Sequence, residues 1–464
     1  MLQSMKLTVS PKWEEIEKAR AKSTEFLKVQ GLEDETVYTV TMVISELIEN
    51  SIKYGTFDSP ESKITICIEI GPQLLTVEVI NPVNETSEYH LNRLDKTIQW
   101  IRGHQDPFEA YIERVKPVFK EYTANLLYDL NVYKSFFDEL DAEYSSEPKH
   151  VRSYIQKTII ETEGRKFMRF LDNKLEELEQ IVSGFTREEH ECHGFYFRKQ
   201  LWNIICCSPI MKRTNLKPRG YAGDSEMMRM IYLNQYQGES TFSKLMHKHP
   251  LEAVAAQAVR QRRKVIAQKL REMQNAPVTS SSQKLKALSV ASGPAFELRD
   301  ILSSPQDCGK YHFALLDQDS AALQEAALLV NRLERELGAK VSVDYLNASV
   351  RTVLARRELL KEWGQFDFVY SMGLFDYLTP PVATAVLTRL YSLVKPGGWM
   401  LVGNFHVSNP SKYYMAYWND WVIYHRTEEE FLDLLKKIPS VQAYISFEET
   451  GSQMFLHVKK PARG

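Results

Sequence analysis

Cysteine is scarce in this chain: only Cys67, Cys192, Cys206, Cys207 and Cys308 occur in 464 residues. Their spacing fits neither a disulfide framework nor a zinc site, so reduced thiols in a cytoplasmic protein are expected, with no bound metal. No apolar run approaches the ~18 residues of a membrane span, and the opening MLQSMKLTVS has no signal-peptide core. An excess of either charge is also lacking. A net charge of −2, without a basic stripe, excludes the usual footprint of a nucleic-acid partner. Internal repeats are absent as well. What remains is an ordinary globular composition, 44% hydrophobic and 25% charged, on a chain too long for one core. Two or three domains are expected.

Three segments follow from the patterning. In residues 1–95, Val37–Tyr54 has helical period with Gly55 at the C-cap position. Ile64–Ile80 alternates as a hairpin: Ile64, Ile66, Ile68 and Ile70 share one face, and Leu75, Val77 and Val79 share another, across a Gly71–Gln73 turn. This predicts an α/β sandwich. Residues 96–280 show no strand alternation and read as amphipathic helices, including Pro107–Tyr128, Arg165–Ser183 and Pro250–Met273. One turn-rich interruption, Asn215–Asp224 (NLKPRGYAGD), breaks them, and Gln274–Gln283 has linker composition. Residues 281–464 alternate short strands with helices. The strands fall at 285–291, 312–317, 341–346, 366–371 and 399–404, with a final pair at 441–448 and 454–459. The expected fold class is α/β: a doubly wound, mainly parallel, Rossmann-like sheet preceded by a helical region and an N-terminal α/β sandwich.

The chemistry concentrates where strands of the third segment end. Ala287–Ala291 runs into a Ser292–Gly293–Pro294–Ala295 turn, and the next strand stops at Asp317. A glycine turn admits a ligand close to the backbone, and an acid at the neighbouring strand end can hold two ribose hydroxyls. These features, with Asp367–Gly373 (DFVYSMG) and Lys395–Gly398 (KPGG), resemble a class I S-adenosylmethionine-dependent methyltransferase. The resemblance implies S-adenosyl-L-methionine as cofactor, with Ala291, Ser292, Gly293 and Pro294 around its methionine part. It places Asp317 on the ribose, Gln318 and Asn347 near the adenine, and Ser371 and Gly373 at the methyl-donor pocket. The loop departs from the family's three glycines, having alanine at 291 and 295. More narrowly, Gly220–Tyr232, Ala255–Lys264 and Val290–Leu298 resemble bacterial 3-hydroxypalmitic acid methyl ester synthases over residues 190–464. That similarity implies a helical cap over the site, with Lys217–Asp224 as part of a lid.

A carboxylate acceptor, with a free pKa near ~4, needs no general base, whereas a hydroxyl does. His406 and Tyr370 are the candidate bases, although a His at 406 also reads as a hydrogen-bonded structural residue. Arg219 is a candidate anchor for an anionic acceptor, or a partner within its own loop; Tyr221 and Asp224 accompany it in the lid. Arg260, Arg262, Arg263 and Lys264 read as a solvated charge run. Tyr413, Tyr414, Tyr417, Trp418 and Trp421 read first as core and second as an acyl-binding wall.

Ser45–Gly55 (SELIENSIKYG) resembles the nucleotide-binding helix of histidine-kinase-like ATPases, which implies Mg²⁺ coordination for Asn50 and a base for Glu46. The acid and glycines that should follow the hairpin are replaced by Asn81–Pro82–Val83, so a degenerate module used for docking or sensing is expected. The primary reading is an O-methyltransferase acting on a small carboxylate or hydroxyl acceptor, a fatty-acid-like signalling molecule among them. Two others stand beside it: a signalling adaptor that binds a protein partner or itself through the N-terminal module, and a protein methyltransferase.

Overall fold

A computed structural model describes residues 3–32, 34–54, 62–70, 75–81, 114–275, 284–355, 359–438 and 442–462. Its N-terminal module pairs β1 (Gln3–Val9), β2 (Ile64–Ile70) and β3 (Leu75–Ile80) as an antiparallel sheet in the order β1-β2-β3. Helices α1 (Glu14–Val29) and α2 (Asp34–Tyr54) cover one face. Ile64, Ile66 and Ile68 are fully buried beneath Ile44, Ile48 and Leu27, the one-sided burial that strict alternation dictates. The sequence reading missed β1 and α1, and the expected caps and turns at Gly55 and Gly71–Gln73 lie outside the described residues.

The described part of the central region is helical. Its main helices are α3 (Pro117–Glu143), α4 (Arg165–Val182), α5 (Arg187–Gln200), α6 (Pro209–Leu216), α7 (Ser225–Leu233), α8 (Thr241–Glu252) and α9 (Val254–Gln274). The expected helix from Pro250 is divided, because Ala253 is extended (ψ 150°) between α8 and α9. This region shares its apolar core with Tyr414, Tyr417 and Trp418 of a later helix, so those aromatics are core.

The C-terminal sheet has seven strands: β4 (Leu285–Val290), β5 (Tyr311–Asp317), β6 (Ser342–Asn347), β7 (Phe366–Ser371), β8 (Val394–Phe405), β9 (Gln442–Phe447) and β10 (Gln453–Lys459). Their order is β6-β5-β4-β7-β8-β10-β9; the first five are parallel, and β10 runs antiparallel to both its neighbours. Helix α10 (Ser320–Leu337) packs on one face with α9, and α12 (Pro380–Leu393) packs on the other. This is a doubly wound, Rossmann-like sheet with a single antiparallel strand inserted near one edge. β8 starts earlier than expected: the KPGG segment lies within it as an irregularity, where Lys395 pairs with Asp367 at 2.8 Å.

Three histidines, His247 and His457 buried and His425 partly so, give the fold a pH signature. Burial, assisted by nearby lysines, pushes His247, His425 and His457 down to about 4. Between pH ~6.5 and ~4 the unfolded chain takes up protons that the folded chain refuses. Stability is therefore expected to be full above that window and to fall as pH drops through it. Urea unfolding midpoints at pH 7.5, 6.0 and 5.0 check this, and a midpoint constant across the three would contradict it.

Candidate functional site

The parallel strands β4, β5 and β7 end on one side of the sheet, where a cavity of about 860 Å³ opens. The loop after β4 forms its floor. Ala291 (φ 53°), Gly293 (φ 54°) and Ala295 (φ 51°) are all left-handed, so the three alternate positions keep the glycine backbone even where alanine occupies them. A left-handed alanine costs about 1 kcal/mol or more. Ala291 is exposed, so Ala291→Gly loses no packing and is expected to stabilise the domain by about 1 kcal/mol, less the entropy that glycine adds to the unfolded chain. Denaturant unfolding followed by a probe in the sheet tests this.

Asp317 closes the cradle. Its Oδ2 accepts from the Gly293 N–H at 2.8 Å and its Oδ1 from the Asp319 N–H at 2.9 Å, tying the β4 loop to the end of β5. Burial raises its pKa, while those backbone N–H groups pull the other way. Each carboxylate oxygen keeps acceptor capacity for a ligand hydroxyl. Ser292 lines the cavity with a buried Oγ that has no partner among the described residues, and a Cβ built on Gly293 would meet open space. An adenosyl cofactor with hydroxyl and amino groups fits this donor set.

The expected residues divide. Ala291, Ser292, Gly293, Pro294, Asp317, Gln318, Gly373, Arg219 and Tyr221 line the cavity. Asn347 instead braces the backbone: its Nδ2 donates to the carbonyls of Asp317 and Gln318 at 3.1 and 3.2 Å, and Ala348, Val350, Arg351 and Ala355 are among the residues that line the wall in its place. Ser371 donates to the Val290 carbonyl at 2.8 Å and fastens β7 to β4. Tyr370 is fully buried, outside the lining, and donates to Glu297 Oε1 at 2.9 Å. Burial pushes both its phenol and the Glu297 carboxyl upward, so Tyr370 holds its proton and is no base. His406 is also outside the lining, its ring nitrogens bonded to Ser408 Oγ (2.7 Å) and Glu428 Oε2 (2.9 Å).

The 217–224 segment is held by its charges. Arg219 pairs with Asp319 (2.7 Å) and Glu325 (3.2 Å) and contacts Ser225, which leaves it neutralised rather than ready for an acceptor. Asp224 is fully buried, bonded to Arg213 and capping α7 through the Met227 N–H, and it does not line the cavity. The charge run on α9 is not a solvated face: Arg260 donates to the Leu251 carbonyl at 2.6 Å, Arg263 pairs with Asp300 at 2.9 Å, and Arg262 lies buried at the cavity. Only Lys264 is well exposed.

Sequence reasoning missed Asp376 and Tyr377 on the far wall, where they meet Trp421, a member of the aromatic cluster whose second reading was a pocket wall. Trp421 Nε1 donates to the Tyr377 hydroxyl at 2.7 Å, and burial lifts Asp376 to about 7, opposed by the Phe405 N–H. The N-terminal module supplies another wall. Trp13 packs into both its own core and that of the sheet; Ile16, Arg20 and Glu49 line the cavity beside helix α11 (Val350–Ala355), and Glu49 pairs with Arg351. Glu46 and Asn50 lie on α2, and their side chains fall outside the described residues. Among the described residues no His/Cys/Asp/Glu cluster could hold a metal, and none of the five cysteines forms a disulfide.

Comparison with known proteins finds two family models on this chain. Residues 175–354 match a family model described as "Putative methyltransferase", and residues 9–103 match one described as "Histidine kinase-like ATPase domain". No curated protein sequence matches. Solved structures with related folds include a magnesium protoporphyrin IX methyltransferase from Synechocystis PCC 6803 (12% identity, 45% of this chain and 84% of that one, TM-score 0.31). Another is the CurJ carbon methyltransferase (11%, 63% and 80%, TM-score 0.38). A third is an O-methyltransferase family protein from Burkholderia thailandensis (14%, 45% and 62%, TM-score 0.30). At such identities and scores these likenesses carry no weight on function, and the fold assignment stands on the strand order.

Proposed function

We propose that this protein transfers the methyl group of S-adenosyl-L-methionine to an oxygen of a small acceptor, foremost a carboxylate. The observation behind the proposal is the cradle of left-handed loop, Asp317 and unpartnered Ser292 at the ends of β4 and β5, in a segment matching a methyltransferase family. Bound there, the cofactor would supply a methyl group on a positively charged sulfonium. Asp317 would hold the ribose, with Gln318 beside the adenine and Gly373 near the methyl donor. In the transfer the carbon–sulfur bond breaks as the oxygen–carbon bond forms, and carboxylate and sulfonium become neutral ester and thioether. Orientation and exclusion of water are what the walls must contribute. Met228, Met372, Leu374 and Trp421 give the cavity an apolar side suited to an acyl chain.

The described lining contains no histidine or lysine, which favours an acceptor already ionised. A second reading, a hydroxyl acceptor, draws on Asp376: it lines the cavity and titrates at about 7, in the range a general base needs. Asp376→Asn separates the two. Transfer to a carboxylate is expected to survive the change within about threefold, and transfer to a hydroxyl to fall by about 10²-fold or more. The broader test combines titration of S-adenosylhomocysteine with transfer of labelled methyl groups into lipid and small-acid extracts. Label recovered in organic solvent supports the proposal, label retained on polypeptide indicates protein methylation, and no binding with no label points to an adaptor.

A further inference from the structure

Arg262 is the feature that the described fold leaves unexplained. It lies on the apolar stripe of α9, in line with Ala255, Val259 and Ile266, and only 7% of it is exposed. Its neighbours there are weak: Nη2 reaches Met228 Sδ at 3.3 Å and Nε reaches the Tyr232 hydroxyl at 3.4 Å. No carboxylate among the described residues lies within ion-pairing distance, although Asp376 and Glu297 are close enough to act on it electrostatically. Glu297 is occupied by Tyr370, and Asp376 by the Phe405 N–H. A buried guanidinium without a close anion is costly, and the usual remedy is a bidentate carboxylate. The place for that anion is open. Arg262 lines the cavity beside Gly373, where a Cβ would stand 3.0 Å from Nη1, and Tyr232 stacks on Phe296 of the β4 loop with ring centroids 4.9 Å apart.

We propose that Arg262 is the carboxylate anchor of this cavity, receiving the carboxylate of a bound ligand between the β4 loop and Gly373. The proposal rests on the methyltransferase reading above. Two ligands of that reaction carry the group: the methionyl end of the cofactor and a carboxylic acid acceptor. Planar, bidentate recognition by arginine suits both, and Met228 and Tyr232 hold the guanidinium against the cavity wall.

The test is calorimetric titration of the full-length wild type, Arg262→Gln and Arg262→Lys with three probes. S-adenosylhomocysteine carries the carboxylate, 5′-methylthioadenosine lacks the whole amino-acid portion, and decanoate, added with S-adenosylhomocysteine present, stands for an acyl acceptor. Affinity for S-adenosylhomocysteine falling at least tenfold in Arg262→Gln, with methylthioadenosine unchanged and partial recovery in Arg262→Lys, places the anchor on the cofactor. Unchanged binding of both nucleosides with decanoate binding lost places it on the acceptor. Equal loss of both nucleosides, or no change with any probe, overturns the proposal. Arg262→Lys, which keeps a buried cation, guards against simple misfolding, and thermal melts of each variant are compared. Failure of the wild type to bind either nucleoside would instead remove the methyltransferase reading itself.

Discussion

Asp317→Ala is expected to lower the affinity for S-adenosylhomocysteine by at least tenfold, and by as much as a hundredfold. Two losses add. The ligand forfeits a carboxylate acceptor, and hydrogen bonds to charged groups contribute about 1.5–3 kcal/mol, where 1.4 kcal/mol is a factor of ten. The loop also loses its tether, because the Gly293 and Asp319 N–H groups both point at that side chain. Asp317→Asn keeps one acceptor oxygen and is expected to fall between wild type and alanine. Calorimetry with S-adenosylhomocysteine reads the effect. An unchanged affinity in Asp317→Ala would mean that the ligand site has been assigned to the wrong cavity.

The second large effect concerns stability. Asp224 is fully buried, takes Arg213 Nε at 2.8 Å and Nη2 at 2.7 Å, and caps α7 through the Met227 N–H at 2.9 Å. Asp224→Ala removes a cap, which costs about 1 kcal/mol, and strands a partly buried guanidinium, which brings the total to about 3 kcal/mol or more. The segment between α6 and α7 should loosen with it, so amide exchange over residues 217–224 is expected to accelerate. Replacing the arginine as well is the control. Arg213→Met in the Asp224→Ala background should recover much of the loss, since two apolar groups do not leave a charge without its partner. A double variant no more stable than Asp224→Ala would show that the cap, and not the ion pair, matters.

Much of the sheet was legible because each strand is a short apolar run bounded by turn residues, and the β7 boundaries coincide with expectation. The turn after β4 and the acid at the end of β5 were legible as features of particular strand ends, and both line the cavity. Arg262 was misread for a physical reason: four basic residues in five look like a solvated face when counted, and only their helical phase separates them. Placed on the stripe of Ala255, Val259 and Ile266, Arg262 is the member that must point inward. Asp376, Tyr377 and Trp421 are far apart in sequence from the β4 loop and meet it only through the fold. His406 and Tyr370 attract notice by their place near strand ends. The alternation of side chains along β7 turns Tyr370 into the α9 and α10 core, and local partners hold His406 at the end of β8.

The shared wall has a thermodynamic corollary. Trp13, Ile16 and Arg20 border the same space as Gln318 and Arg351, so any ligand that contacts both sides is linked to the packing between them. Linkage is reciprocal: if filling the cavity favours the packed arrangement, whatever favours that arrangement must tighten ligand binding by the same factor. S-adenosylhomocysteine should therefore slow amide exchange in α1, remote from Asp317 in sequence. Trp13→Ala should weaken the nucleoside while lessening that protection. The N-terminal module would then act on ligand binding as a weight on a balance.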